Sequence, residues 1–267
     1  MSVKTRSATS LQQRWKRLLS KLLEQRSNMK TLVLGASGAT GKHLVEQLLE
    51  LGHEVKAIVR NPEKLPKSWH ENKNLTIING SITEVSKDQM ADYLSDCNAA
   101  ASCLGHNLSL KGIFGKPRRL VTDAIRLVCE TIQKSPSEKP IKILLMNTAG
   151  NSNRDLIEPI SLGQKMIIGI LRLILPPHVD NENAADYLRT EIGQNNTAIE
   201  WVTIRPDTLL SDEQVTDYEL HQSPTRSAIF NPGKTSRINV GNFMARLITD
   251  DYLWNTWKGQ MPVIYNK

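Results

Sequence analysis

The sequence of 267 residues is 39% hydrophobic, which is enough for one large core, and it predicts a single domain behind an N-terminal tail. The formal net charge is +7, but residues 1–28 carry seven Lys and Arg side chains and one Glu, and so hold six of the seven charges. The nearly neutral remainder argues against a basic groove across the fold, and we expect no nucleic-acid partner.

Residues 1–28 are interpreted as a basic N-terminal extension and residues 29–267 as the domain. In the extension, Trp15 and several leucines recur at helical spacing among cations, which is typical of an amphipathic helix. Three interpretations remain open: a helix docked on the domain, a helix that contacts a membrane surface, or an extension upstream of a true start at Met29. The Arg-rich, acid-poor composition also overlaps with that of an organelle transit peptide.

The spacing of the cysteines and the length of the apolar runs argue against disulfide-rich, metal-binding and membrane-spanning classes of protein. Cys97, Cys103 and Cys129 form no CxxC pair, so the sequence predicts neither a disulfide framework nor a metal site, and we expect a reducing, cytoplasmic location. The best apolar segment, Met166–Leu175, has 10 residues. A bilayer span needs about 20 residues, so no transmembrane segment is predicted.

The stretch KTLVLGASGATGKHLVEQLLELGHEVKAIVR, residues 30–60, predicts a strand, a glycine loop, a helix and a second strand. Glycines at every third position keep side chains out of the loop, so that backbone N–H groups at the helix N-terminus can approach a pyrophosphate. An ordinary tight turn is the alternative, but the order of these elements favours a dinucleotide site. The predicted contacts in the loop are Gly35, Ser37, Gly38, Ala39, Thr40 and Gly41.

The letters GASGATG and the strand ending in Val59-Arg60 resemble the short-chain dehydrogenase/reductase superfamily, specifically its atypical, NmrA-like NAD(P)H-binding branch. The resemblance covers residues 29–267 and is closest in the first third of the chain. It implies a Rossmann fold. Independently, strand patterns alternate with helical ones, which predicts an α/β fold with a doubly wound parallel sheet and a small C-terminal portion on the substrate side.

Arg60 ends the second strand, at the position where NAD-binding and NADP-binding proteins differ. A carboxylate there hydrogen-bonds the adenosine ribose of NAD, whereas a cation accommodates the 2′-phosphate of NADP. No acidic residue occupies the position, and a guanidinium suits a phosphate, so we expect NADP (NADPH) as cofactor rather than NAD. The alternative is that Arg60, Lys64 and Lys67 form a solvated edge.

The resemblance implies further cofactor contacts at the ends of later strands. In the family, the third strand is followed by an aspartate that meets adenine, and Ser81 stands in its place here. Small residues at the end of the fourth strand let a cofactor lie close to the backbone, and an Arg-Pro pair after a later strand walls the nicotinamide pocket. The matching residues are Gly80, Ser81, Ile82, Cys103, Leu104, Gly105, Arg205 and Pro206.

Asn147 and Thr148 follow the fifth strand, where the resemblance implies a serine beside the substrate. They are the candidate catalytic residues, because either could supply a hydrogen bond there. The family's Tyr-x-x-x-Lys pair is missing: its tyrosine falls near Pro177, and Tyr187, the tyrosine on the candidate helix, is followed four residues later by Glu191. We therefore interpret Tyr187 as a packing residue.

Residues 167–177 are strongly apolar and lie where the substrate pocket is expected. They predict a core helix or, alternatively, a flexible lid over an apolar substrate. Two functions remain open. The first is an NADPH-dependent reductase of a small apolar or aromatic acceptor, such as a quinone or flavin-like molecule. The second is a non-catalytic NADP(H)-binding redox sensor or assembly partner, and we expect a monomer or homodimer.

Overall fold

The alternation of strands and helices is present in the computed structural model, which describes residues 29–106 and 114–267. The interpretations of the basic extension concern residues 1–28, which lie outside the described residues. The strands are β1 (Lys30–Leu34), β2 (Glu54–Val59), β3 (Leu75–Asn79), β4 (Ala99–Ser102), β5 (Ile141–Met146), β6 (Ile199–Pro206), β7 (Thr208–Leu210), β8 (Tyr218–His221), β9 (Lys234–Ser236) and β10 (Val263–Asn266). The helices are α1 (Gly41–Glu50), α2 (Lys67–His70), α3 (Lys87–Leu94), α4 (Leu120–Lys134), α5 (Leu162–Ile174), α6 (Pro176–Asp186), α7 (Arg237–Thr249) and α8 (Asp251–Trp257).

Within the described residues, eight strands form one sheet in the order β3-β2-β1-β4-β5-β6-β10-β8. Neighbouring strands are parallel throughout, except that β8 runs antiparallel to β10. The chain moves outward from β1 to β3 and then crosses back to β4 on the other side of β1. The crevice between β1 and β4 is therefore the topological switch point, at which doubly wound sheets bind their ligands. This is the Rossmann-like α/β fold predicted from the sequence.

Helix α7 packs tightly on α1 and so holds the helix that opens the glycine loop. A Cβ atom on Gly241 would lie 2.9 Å from the Leu44 N atom, so the two backbones approach to a distance that a side chain would prevent. The fully buried Asn239 Nδ2 donates hydrogen bonds to Thr216 Oγ1 at 2.9 Å and to Asn266 Oδ1 at 2.8 Å. The bond to Asn266 ties α7 to β10, the strand that comes last in the chain.

Helix α5 is more exposed than the core helix predicted for residues 167–177. Its buried residues are Gln164 and Ile168, whereas Leu162 and Leu173 are 84% and 86% exposed. The prediction of a core helix is therefore wrong, because a continuous apolar run does not reveal whether another element covers it. No helix of the described residues is both long and apolar enough to cross a membrane.

Candidate functional site

A cavity of about 410 Å³ lies at the switch point, against the carboxyl ends of β1, β2, β3 and β4. Doubly wound sheets place their ligand sites at this edge because the loops there are free to diverge from the sheet. The predicted contacts that line it are Gly35, Ser37, Gly38, Arg60, Gly80, Ser81, Ile82, Cys103, Leu104 and Gly105. Lining residues that were not predicted are Leu34, Ile58, Val59, Thr83, Pro117 and Leu120.

The three glycines of the loop are required for different reasons. Gly35 has a φ of +75°, and a Cβ atom on it would lie 2.8 Å from the carbonyl carbon of Cys103. A Cβ atom on Gly41 would overlap with the carbonyl oxygen of Gly35. At Gly38 the nearest atom is that same carbonyl oxygen, at 3.1 Å, with no other neighbour within 4 Å. Gly35 and Gly41 therefore shape the loop, whereas a side chain on Gly38 would mainly occupy the space in front of it.

Helix α1 directs its N-terminus at the loop. The backbone N–H groups of Ala39 and Thr40 find no backbone acceptor among the described residues, and no acidic side chain lies in the first turn. Unpaired N–H groups and the positive end of the helix dipole favour an anion at this place. Ala39, Thr40 and Gly41, which the sequence predicted as cofactor contacts, do not line the cavity.

A smaller depression of about 320 Å³ adjoins the cavity and shares Ser37 and Arg60 with it. Lys42 from α1 and Lys64 from the segment after β2 also line the depression. Glu46 lies in the same wall, and burial raises the pKa of its carboxyl. Three cations around one depression form a site suited to a compact anion such as a phosphate.

The ends of β3 and β4 contribute neutral groups. Ser81, in the place of the family's aspartate, has its Oγ 2.8 Å from Thr83 Oγ1, so this wall carries hydroxyls and no carboxylate. Burial raises the pKa of the Cys103 thiol to about 12, and the group therefore stays protonated at neutral pH. Cys103 is a packing residue in the cavity wall and not a reactive thiol.

Asn147 and Thr148 follow β5 as predicted, but they do not line the cavity. Asn147 Nδ2 donates to the carbonyl oxygen of Asn181 at 2.8 Å, and its Oδ1 accepts from the Thr148 N–H at 2.9 Å. Asn147 thus fastens β5 to α6. Thr148 is half-buried, and its Oγ1 accepts from the Gly150 N–H at 3.2 Å. Because a hydroxyl that accepts one bond keeps its proton, Thr148 is the better hydrogen-bond donor of the two.

Tyr187 lies in the hydrophobic core and does not line the cavity at the switch point. It is 6% exposed, and the guanidinium carbon of Arg126 sits 4.2 Å from the centre of its ring. Burial raises the pKa of its phenol to about 12. The structure thus agrees with the interpretation of Tyr187 as a packing residue.

Arg205 and Pro206 do not line the cavity, in contrast to the contacts expected of them. The guanidinium of Arg205 is fully buried, where it donates to the carbonyl oxygens of Met261 and Asn151 and pairs with Glu158. These contacts hold the guanidinium inside the protein, away from the cavity. The prediction failed because the position of a residue at a strand end does not show which way its side chain turns.

Comparison with known families and proteins agrees with this geometry. A family model described as NAD(P)H-binding matches residues 35–251. Over 74 residues the chain is 42% identical to an uncharacterized chloroplastic protein of Arabidopsis thaliana, a match that covers 28% of this chain and 26% of that protein. The match thus spans about a quarter of the length of this relative.

Three solved structures show the same fold over nearly the whole chain. An anaerobillin reductase from Escherichia coli O157:H7 is 16% identical with a TM-score of 0.62, over 89% of this chain and 97% of that one. A putative NADH-flavin reductase from Streptococcus pneumoniae is 19% identical with a TM-score of 0.60, over 90% and 100%. A short-chain dehydrogenase/reductase from Veillonella parvula in complex with NADP is 14% identical with a TM-score of 0.64, over 89% and 94%.

Proposed function

We propose that this chain, which belongs to the NAD(P)H-binding family, is an NADPH-dependent reductase. Its acceptor would be a small apolar or aromatic molecule of the quinone or flavin type. The observation that carries the proposal is the cavity at the switch point, bounded by the glycine loop and by Arg60. The bound cofactor would supply a hydride to the acceptor.

The residues around the cavity fit a dinucleotide. The glycine loop and the N–H groups of Ala39 and Thr40, directly before α1, suit a pyrophosphate, and the walls from β2 and β3 suit the adenine end. The adjoining depression, with Lys42, Arg60 and Lys64, would take the 2′-phosphate that distinguishes NADP from NAD. These cations, one from α1 and two from the segment after β2, support a preference for NADPH.

An apolar acceptor is supported by the segment after β5. A second depression, of about 420 Å³, is lined there by Leu156, Ile157, Ile160 and Ile168 together with polar residues. Two proteins of the same fold are described as a putative NADH-flavin reductase and as an anaerobillin reductase. Leu156 and Ile157, the exposed aliphatic side chains of this lining, would bind an apolar acceptor by burying apolar area.

A second candidate function is the non-catalytic binding of NADP(H), as a redox sensor or assembly partner. It is favoured by the burial of Tyr187 and the absence of a Tyr-x-x-x-Lys pair on the helix. A sensor needs the cofactor site but no proton donor, and the glycine loop would serve it equally well.

The proposal is tested by mixing the purified protein with NADPH and a panel of quinones, aldehydes and flavins and following the loss of absorbance at the NADPH band. A reductase oxidises NADPH with at least one apolar acceptor and is slower with NADH. Binding of NADPH without turnover on any acceptor would favour the sensor. Failure to bind either nucleotide would contradict both functions.

A further inference from the structure

Helix α6 carries three buried titratable side chains, which is costly unless each has a partner. His178, Asp180 and Glu182 are 9%, 1% and 4% exposed. Asp180 has a structural role, because its carboxylate accepts the N–H groups of Val121 and Thr122 at the start of α4 and pairs with His106 Nε2 at 2.8 Å. His178 and Glu182 cap no helix.

His178 and Glu182 form a pair one helical turn apart, with His178 Nε2 3.4 Å from Glu182 Oε1. Within the described chain, this buried nitrogen has no hydrogen-bond partner. Glu182 is held from the other side by Arg172 of α5, whose Nε and Nη2 donate to its two oxygens at 2.8 and 2.9 Å. Burial alone would raise the pKa of Glu182, but His178 and Arg172 together lower it to about 2, so the carboxylate is ionised.

The imidazole lies beside the residues that follow β5. A Cβ atom placed on Gly150 would be 3.7 Å from Thr148 Oγ1 and 3.8 Å from His178 Cε1, so the hydroxyl and the imidazole flank the same small space. The imidazole thus stands beside Thr148, the better hydrogen-bond donor of the two candidate residues after β5.

We propose that His178 is the proton donor of the reductase and that Glu182 is a positioning residue that orients its imidazole. This inference rests on the proposed function. The hydride and its electron pair pass from the reduced nicotinamide to the acceptor, and the charge that develops on the acceptor takes the proton of the imidazolium Nδ1, the nitrogen that does not face Glu182. The neutral imidazole left behind regains a proton from water, and Thr148 Oγ1 donates a hydrogen bond to the reduced acceptor.

Both nitrogens of an imidazolium are N–H donors, so the nitrogen that faces away from Glu182 is chemically able to give a proton to an acceptor. The charged and titratable groups around the pair come from three segments: Asp180 and Glu182 on α6, Arg172 on α5, and Arg154, 3.9 Å from Glu182, in the loop after β5.

The test compares His178→Gln with His221→Gln, a matched control, because His221 Nε2 also lies 3.3 Å from a glutamate, Glu219, but on β8. Single-turnover hydride transfer with NADPH and the best acceptor of the panel should slow by about 100-fold or more in His178→Gln, the lower end of general acid catalysis. His221→Gln should keep the wild-type rate, and NADPH affinity should be unchanged in both variants.

A second readout does not depend on turnover. The ring nitrogens of the wild type are followed by NMR while NADP⁺ alone is added, and the signals missing from His178→Gln identify His178. These signals should shift on addition of NADP⁺, and those of His221 should not. In Glu182→Gln, kcat should fall with KM for the acceptor unchanged, because the imidazole has lost the carboxylate that orients it.

The outcomes separate this inference from the proposed function. A wild type that oxidises no NADPH overturns both. If the wild type and His178→Gln are equally active, the role of His178 alone is overturned. The same holds if the NMR signals of His178 do not shift when NADP⁺ is added. If His178→Gln does not fold, the test is the pH dependence of the wild-type rate. The rate must fall as pH rises through the ionisation of His178 measured by NMR. A rate that is independent of this ionisation contradicts the inference.

Discussion

The guanidinium of Arg205 lies 2.8 Å from the carboxylate of Glu158, and the two side chains are 0% and 2% exposed. Arg205 also donates to the Asn151 carbonyl oxygen, and the second carboxylate oxygen of Glu158 accepts from the Asn153 N–H at 3.0 Å. This buried pair fastens the loop after β5 to the end of β6. It therefore holds in place the segment that leads to α5 and α6.

Removal of one member of this pair should strongly destabilise the protein. Arg205→Leu leaves the Glu158 carboxylate buried without its cation, and the free energy of unfolding in urea should fall by about 3 to 5 kcal/mol. The control is Lys87→Ala, which breaks a pair with Glu130 in which both side chains are about half exposed. That loss should stay below about 1 kcal/mol. Equal losses in the two variants would contradict the role assigned to Arg205.

Tyr187→Phe should keep most of the reductase activity. The phenol is buried in the core, and burial raises its pKa to about 12, so it is placed neither to reach an acceptor nor to donate a proton readily. Thr148→Val, which removes a hydroxyl beside Gly150 while keeping the side-chain volume, should lower kcat. A loss of about 100-fold or more in Tyr187→Phe with NADPH binding intact would restore a tyrosine acid.

The stability contributed by Glu182 should depend on pH. Its folded-state pKa, about 2, is lower than the ordinary value of 4.5, so its contribution is complete above pH 4.5 and is lost as pH falls toward 2. Unfolding free energies of the wild type and of Glu182→Gln should therefore differ most at neutral pH and converge in acid. A difference that is constant between neutral pH and pH 3 would show that the ionised carboxylate is not what stabilises the fold.

Local sequence patterns were sufficient to predict the glycine loop and the strand ends that line the cavity. Gly35, Gly38 and Gly41 and the apolar strand before them lie within one stretch of chain, and the close contacts of Gly38 and Gly41 are with that same stretch. The strand ends at Gly80 and Gly105 follow from strand order, because the carboxyl ends of parallel strands share one edge of the sheet.

The remainder depends on contacts between distant segments. Lys42 meets Arg60 and Lys64 in one depression because α1 packs beside β2, which no spacing in the sequence reveals. The importance of His178 depends on the approach of α6 to the loop after β5. Its single signal in the sequence is the spacing of four residues to Glu182, a common pattern on ordinary helices.

Arg60 should select NADPH over NADH. Arg60→Ala should weaken NADPH binding by about 1.5 to 3 kcal/mol, the scale of a charge-assisted hydrogen bond, and leave NADH binding nearly unchanged. Lys67→Ala is the control, because Lys67 is exposed and lies outside the depression that Arg60 lines. Equal weakening of both nucleotides, or of neither, would make Arg60 a solvated surface charge.

The central claim is that a dinucleotide binds in front of the glycine loop, and calorimetric titration of NADPH tests it most directly. The wild type should bind. Gly38→Val should show no measurable binding while it unfolds near the wild-type temperature, since a Cβ atom at Gly38 meets a single atom of its own loop within 4 Å. Gly169→Ala, where a Cβ atom meets nothing, should bind like the wild type. Unchanged NADPH affinity in Gly38→Val, or a wild type that binds neither NADPH nor NADH, would contradict the claim.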